Sequence, residues 1–222
     1  MADRKRFTDR LFELLKNYKY VLFNYDLLFN RKEKEDLALE FLLDQKEVTP
    51  LLNQLKQEDH DVQHIKLSSS FRFSKAVIKF KDQSSLRILF IHKLMHKTLT
   101  YMDASVVLEK RALTSGGFYI PSLEHQFEDS VLHAYLNNTG LKEKHYLYFN
   151  DFHVLIQEDL LEFFNTKYGT SFPSLFSLTD FYSVEKVQMV EQLKTFPFNR
   201  FMKKMNVRWH NFVGVMRQAR MI

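Results

Sequence analysis

Residues 62–91 read VQHIKLSSSFRFSKAVIKFKDQSSLRILFI, a stretch rich in β-branched and aromatic residues with polar residues between them. This composition is typical of strands, and the segments 62–67, 71–80 and 86–91 are each long enough to form one. Residues 81–84, Lys-Asp-Gln-Ser, predict a hairpin turn between the last two segments. We therefore expect a small mixed sheet here, with helices on one side of it.

The sequence before this stretch predicts three helices and one or two further strands. The N-caps are Thr8, Asn30 and Thr49, and a proline follows the last of them in the first helical position. An apolar stripe lies behind each cap; the three stripes are Leu11, Phe12 and Leu15, then Leu37, Phe41 and Leu42, then Leu51, Leu52 and Leu55. Between the first helix and the second, residues 20–29 predict either one long strand or two short strands around a tight bend at residues 24–26.

The sequence after the sheet predicts mostly helix. Residues 104–111 indicate a short helix, and Gly116-Gly117 indicates a turn that closes the first half. Further helices are expected around residues 127–135, before Gly169, over residues 180–194 and from about residue 198. We thus expect an α+β fold, with an α/β domain over residues 1–120 and an all-helical domain over residues 121–222.

Composition limits the classes of protein to consider. The chain has no cysteine, so it has neither disulfides nor thiolate metal sites. It shows no signal-peptide pattern and no apolar run near the roughly 20 residues that span a bilayer. These features predict a cytoplasmic protein without a transmembrane segment, and they leave its oligomeric state open.

Positive charge is concentrated in the last predicted helix. The formal net charge is +5, yet residues 192–222 contain seven Lys or Arg and no Asp or Glu. Lys203, Lys204 and Arg208 lie there among aromatic residues, a mixture suited to nucleic acid or another polyanion. One hypothesis is therefore a non-enzymatic polyanion-binding module with these three cations as contacts. The alternative is a structural helix that docks its apolar stripe and leaves its cations in solvent.

Two segments carry a resemblance to a known family. The predicted strand ending Tyr25-Asp26-Leu27-Leu28-Phe29 and the later strand Leu86-Arg87-Ile88-Leu89-Phe90 resemble the bacterial nucleotidyltransferase-like family. The resemblance implies a nucleotidyltransferase fold and transfer of a nucleotidyl group from a nucleoside triphosphate to an acceptor hydroxyl. It also implies Mg²⁺, because such enzymes clamp divalent ions between three carboxylates.

The residues at the family's acidic positions predict a degenerate site. Asp26 stands at the second acidic position, but Asn24 stands at the first and Leu89 at the third. The glycine turn that cradles phosphates is also missing, since the first glycine of the chain is Gly116. We therefore expect a protein that binds a nucleotide-like ligand or a partner without efficient catalysis. Should activity persist, Asp26 is the catalytic metal ligand and Asn24 a substrate-binding residue; the simpler interpretation of Asp26 is a polar residue at a strand end.

Other chemistry has weaker support. His92 and His96 are four residues apart, as are His60 and His64, a spacing that would face a metal only on a helix. Neither pair has the glutamate of a zinc-protease motif, so surface histidines are the simpler interpretation. Neither a G-x-S-x-G turn nor a cysteine nucleophile is present.

Overall fold

The computed structural model of the chain describes residues 2–23, 38–96, 99–137, 141–179, 185–195 and 199. The chain divides into two compact units. The first consists of Met1–Leu94 and Met102–His125, and the second of Met95–Tyr101 and Gln126–Ile222. The domain boundary expected near residue 120 remains a prediction.

The first unit contains a five-stranded mixed sheet. Its strands are Tyr20–Leu22 (β1), Leu39–Leu43 (β2), Val62–Ser69 (β3), Phe73–Phe80 (β4) and Ser85–Ile91 (β5). Their order in the sheet is β1-β2-β5-β4-β3. Strands β2 and β5 are parallel, whereas the other neighbouring pairs are antiparallel. The predicted mixed sheet is confirmed, as is the turn between β4 and β5, where Phe80 donates its N–H to the Ser84 carbonyl.

Two helices, Ala2–Leu15 (α1) and Gln45–Glu58 (α2), share one hydrophobic core with the sheet. Every second residue of β4 and β5 is buried, because alternate side chains of a strand point to the same face. Phe7 of α1 contacts Phe80 of β4 edge to face, with 5.4 Å between ring centroids. The alternation in the sequence therefore identifies the core face of the sheet.

Three expectations for the amino-terminal half are wrong. Thr8 lies inside α1 rather than at its N-cap. Phe41, expected on a helix, lies in β2, which is buried on both faces and thus lacks the alternation that marks a half-exposed strand. Helix α2 begins at Gln45, capped by the Asp44 carboxylate, so that Pro50 lies within the helix. The helix expected after Asn30 begins outside the described residues.

Five shorter elements follow the sheet along the chain; residues 95–101 of them belong to the second unit and the others to the first. They are Leu94–His96 (β6), Leu99–Met102 (β7), Ala104–Glu109 (α3), Ala112–Leu113 (β8) and Tyr119–Ile120 (β9). Strands β6 and β7 form one two-stranded sheet, and β8 and β9 form another. Gly117 has φ of 79° in the β8–β9 connection, so the predicted glycine turn is present.

The second unit contains the helices Leu123–Leu136 (α4, from residue 126), Glu143–Asn150 (α5), Val154–Tyr168 (α6) and Glu185–Lys194 (α7), with a 3₁₀ turn at Leu175–Thr179. Phe127 packs edge to face against Phe149 and Phe164 in their core. Gly169 ends α6 in the left-handed conformation, as predicted. None of the described helices is both long and apolar enough to cross a membrane. Of the helix expected from residue 198, only Asn199 lies among the described residues.

Candidate functional site

Strands β3, β4 and β5 present a second face, opposite the helices. The residues of β4 that alternate with its buried side chains are exposed or half-buried, and the register extends this face to both neighbouring strands. We call this surface the outer face; it consists of His64, Lys66 and Ser68 on β3, Phe73, Lys75, Val77 and Lys79 on β4, and Ser85, Arg87, Leu89 and Ile91 on β5.

Four exposed cations of the outer face surround Val77. Lys66 and Arg87 are each paired in register with Val77, while Lys75 and Lys79 lie two residues before and after it on β4. Strand geometry places neighbours about 4.8 Å away across the sheet and about 6.6 Å away along the strand. The backbone positions of these four residues, the cation cluster, therefore span about 10 by 13 Å.

Little negative charge offsets the cation cluster. The residues that β3, β4 and β5 contribute to the outer face include no Asp or Glu. Within the described ranges, no carboxylate forms an ion pair with Lys66, Lys75 or Lys79. The neighbouring strand β2 contributes one acid, the half-buried Glu40, in register with Leu89. On the described strands β2 to β5, the outer face therefore carries four Lys or Arg side chains and one carboxylate.

Of the three residues at the family's acidic positions, only Leu89 lies among the described residues. Leu89 lies half-buried on the outer face, between Lys75 and Glu40 in register, and supplies no metal ligand. Asn24 and Asp26 lie outside the described residues. The described part of their strand, β1, pairs with β2, and β2 separates it from β5. Adjacency of Asp26 and Leu89 thus remains a prediction, as does Mg²⁺ binding at Asp26.

The histidine pairs do not have the helical geometry that a shared metal would require. His92 follows β5 and His96 lies on β6, while His60 precedes β3 and His64 lies within it. His92 is not a surface residue, because only 7% of it is exposed. Among the described residues, no group of three or more His, Asp or Glu side chains could hold a metal ion.

Both ring nitrogens of His92 have hydrogen-bond partners in the core. Nδ1 lies 2.9 Å from the Leu43 carbonyl oxygen, which only accepts, so Nδ1 carries a proton and donates it. Nε2 lies 2.8 Å from Oγ of the buried Ser74, which in turn lies 2.9 Å from Ser69 Oγ. The imidazole therefore joins β2 to β4 beyond the end of β5, as a structural connection.

The second unit contains a buried charged cluster. Glu128 on α4 is fully buried, and its Oε1 lies 2.5 Å from Lys167 Nζ on α6. The Tyr168 hydroxyl donates a hydrogen bond to the same carboxylate. Burial and the Glu128 charge raise the pKa of Tyr168 far above its ordinary value, so its phenol stays protonated. These contacts join α4 to α6.

Asp129, the next residue on α4, has an altered acidity. Burial raises the pKa of its carboxyl to about 6, and the neighbouring Glu128 charge adds to this effect. A hydrogen bond of 3.0 Å from the Tyr101 hydroxyl opposes the shift. Asp129 thus changes charge close to neutral pH, although no described nucleophile accompanies it.

An open cavity of about 430 Å³ lies along α6. All of its lining residues come from this one helix: Asp159, Glu162, Phe163, Thr166 and Lys167. Lys167 is held by Glu128, and the lining carries two carboxylates. It therefore lacks the convergent groups from several elements that mark a ligand pocket.

Comparison with known proteins adds no family to this description. No protein-family model, curated protein or solved structure matches the chain. The resemblance to nucleotidyltransferases therefore remains a prediction. The three predicted tail contacts, Lys203, Lys204 and Arg208, lie outside the described residues.

Sequence reasoning missed the cation cluster, although part of its signal is local. Lys75 and Lys79 alternate with buried residues along β4, which indicates two cations on the solvent side of one strand. Lys66 and Arg87 join them only through the register of three strands. That register depends on pairing between segments distant in the sequence.

Proposed function

We propose that the protein is a non-enzymatic module that binds nucleic acid through its phosphates, using the cation cluster on the outer face. The observation that supports this most strongly is the placement of four exposed cations around Val77 on a regular sheet. A polyanion that lies across the sheet would meet all four together. The proposal keeps the class of partner that the basic tail predicts and assigns the contact to a different surface.

Electrostatics argues that this arrangement serves a ligand. Like charges on neighbouring strands of one sheet face repel, so the mutual interactions among these four cations do not stabilise the fold. Phosphates would remove this repulsion and release condensed counterions as they bind. Backbone contacts of this kind carry no sequence information, so we expect binding with little sequence preference. We place this activity in the cytoplasm, the compartment that the cysteine-free sequence predicts.

The test is binding of a fluorescein-labelled oligonucleotide of about 12 nucleotides, measured by anisotropy at low salt. The wild type is compared with the quadruple variant Lys66→Gln, Lys75→Gln, Lys79→Gln and Arg87→Gln. A matched control with the same net charge replaces four exposed lysines of α1, α2 and the end of α3: Lys5, Lys46, Lys56 and Lys110.

We expect the cluster variant to lose at least ten-fold in affinity and the matched control to change it by less than about three-fold, as for charges outside the contact area. Circular dichroism and thermal unfolding check that both variants remain folded. Equal losses in both variants would show that only net charge matters, and the proposal would then be wrong.

A further inference from the structure

We infer that the nucleic acid recognised by the outer face is single-stranded, and that Phe73 stacks against one of its bases; this inference rests on the proposed function. Phe73 lies on the outer face two residues before Lys75, about 6.6 Å along the strand. It is 39% exposed, so that part of this large apolar side chain reaches solvent.

The surroundings of Phe73 leave its ring accessible. Among the described residues, no other aromatic ring packs against it. Its register partner on β5 is the half-buried Ile91, whose own partner on β2 is the buried Leu42. Along this row of three apolar residues, Leu42 on β2 is buried, Ile91 on β5 is half-buried and Phe73 on β4 is exposed. Phe73 therefore lies at the solvent-exposed end of the row.

The backbone next to Phe73 is held in place by a tight connection. Ser70 donates its N–H to the Phe73 carbonyl at 2.8 Å, and its hydroxyl donates to the same oxygen at 2.9 Å. The Phe73 N–H donates back to Ser70 Oγ at 3.2 Å. His92 and Lys93 donate their N–H groups to the Arg72 carbonyl. Because this backbone is already held in place, little further backbone entropy is lost when a base stacks on the ring.

Cations beside an accessible aromatic ring favour an unpaired strand over a duplex. In a duplex the base faces are already stacked on each other, so Phe73 would gain nothing and only phosphate contacts would remain. In a single strand the phosphates can follow the cation cluster while a base lies on the ring. Such stacking contributes about 1–3 kcal/mol per base and depends little on base identity.

The experiment compares three ligands of equal length, about 12 nucleotides: oligodeoxythymidine, an abasic strand with the same phosphates, and a duplex of mixed sequence. Each is measured with the wild type, with Phe73→Leu and with Phe176→Leu as a matched control. Phe176 is 70% exposed and belongs to the second unit. Circular dichroism and thermal unfolding check that the variants fold.

We expect the wild type to bind oligodeoxythymidine about 5- to 150-fold more tightly than the abasic strand, the equivalent of stacking one base. Phe73→Leu should reduce this preference to near unity without changing abasic binding, and Phe176→Leu should leave it intact. Equal affinity for the thymidine and abasic strands, or tighter binding of the duplex, would overturn the inference. Binding of the abasic strand that depends on the cation cluster would still support the proposed function, whereas no binding of any ligand would refute both.

Discussion

Lys66 and Arg87 lie on opposite sides of Val77, each in register with it on a strand that borders β4. Neither residue is near the other in sequence, and the two meet on one face only because β3 and β5 flank β4. With Lys75 and Lys79 they place four positive charges on the outer face. This relationship is the basis of the proposed function.

The basic tail provides a direct test of where binding occurs. Lys203, Lys204 and Arg208, replaced together by Gln, should lower oligonucleotide affinity less than the cluster variant does, because the proposal assigns the main contacts to the outer face. The measurement is a titration of both variants under identical low-salt conditions. If the tail variant loses more affinity than the cluster variant, the tail is the main contact surface.

His92 provides a prediction about stability in the first unit. Ser74→Ala leaves Nε2 of the buried ring without its partner, so the free energy of unfolding should fall by about 1–3 kcal/mol. Ser85→Ala, on the exposed end of β5, is the matched control and should change it by less than about 0.5 kcal/mol. Urea denaturation of the two variants measures both values. Equal stabilities would mean that the Ser74–His92 contact contributes nothing to the fold.

The sheet could be predicted from sequence because β4 and β5 alternate buried and exposed residues, a pattern that depends only on the strand itself. Strand β2 could not, since Phe41, Leu42 and Leu43 are all buried and a continuous apolar run looks the same in a helix. The Thr49-Pro50 pattern predicted the wrong start for α2, because the residue that caps this helix, Asp44, lies outside that pattern.

The candidate site was harder to predict than the fold. Counting charges along the chain directs attention to the tail and makes the remainder look slightly acidic. That count averages over both sides of every element, so it cannot show that β3, β4 and β5 place their four cations on one face of the sheet. The His92 network also depends on three segments that meet only in the folded sheet.

Asp129 predicts a pH dependence of stability in the second unit. Its pKa is about 6 in the folded chain and near 3.8 when unfolded, so the folded state favours the protonated carboxyl. Its contribution is therefore fully present well below the unfolded pKa and is lost as the pH rises through about 6, by about 3 kcal/mol in all. Asp129→Asn removes the titration and keeps an oxygen to accept the Tyr101 hydrogen bond.

Chemical denaturation between pH 4 and pH 7 measures this effect. Between pH 4 and pH 7, the free energy of unfolding of the wild type should fall by about 2 kcal/mol relative to that of Asp129→Asn, because part of the total effect lies below pH 4. Asp159→Asn, an exposed acid on α6, is the control and should follow the wild-type profile. Parallel profiles of the wild type and Asp129→Asn would contradict the assigned acidity.

The Glu128–Lys167 pair predicts that removing one of its two charges lowers the free energy of unfolding substantially. Lys167→Met keeps most of the aliphatic chain but leaves a fully buried carboxylate with only the Tyr168 hydroxyl. We expect the free energy of unfolding to fall by about 3 kcal/mol. This value is the low end of the range for breaking a buried ion pair, because about a third of the Lys167 side chain is exposed. Thermal or urea unfolding measures this loss.

Two further variants give this prediction its controls. Lys194→Met removes a cation from an exposed ion pair with Glu191 and should cost less than about 1 kcal/mol. Adding Glu128→Gln to Lys167→Met removes the unpaired charge and should restore part of the stability. A double variant no more stable than Lys167→Met would mean that packing, rather than charge, causes the loss.

The most direct test of the central claim is the salt dependence of oligonucleotide binding by the wild type and the cluster variant. Each phosphate neutralised on a single strand contributes about −0.7 to the slope of log K against log salt, so four contacts predict a wild-type slope of about −3 or steeper. The account predicts that replacing Lys66, Lys75, Lys79 and Arg87 by Gln flattens this slope by about 3 between about 50 and 200 mM salt. An unchanged slope in the cluster variant would contradict it, because the phosphates would then contact another surface.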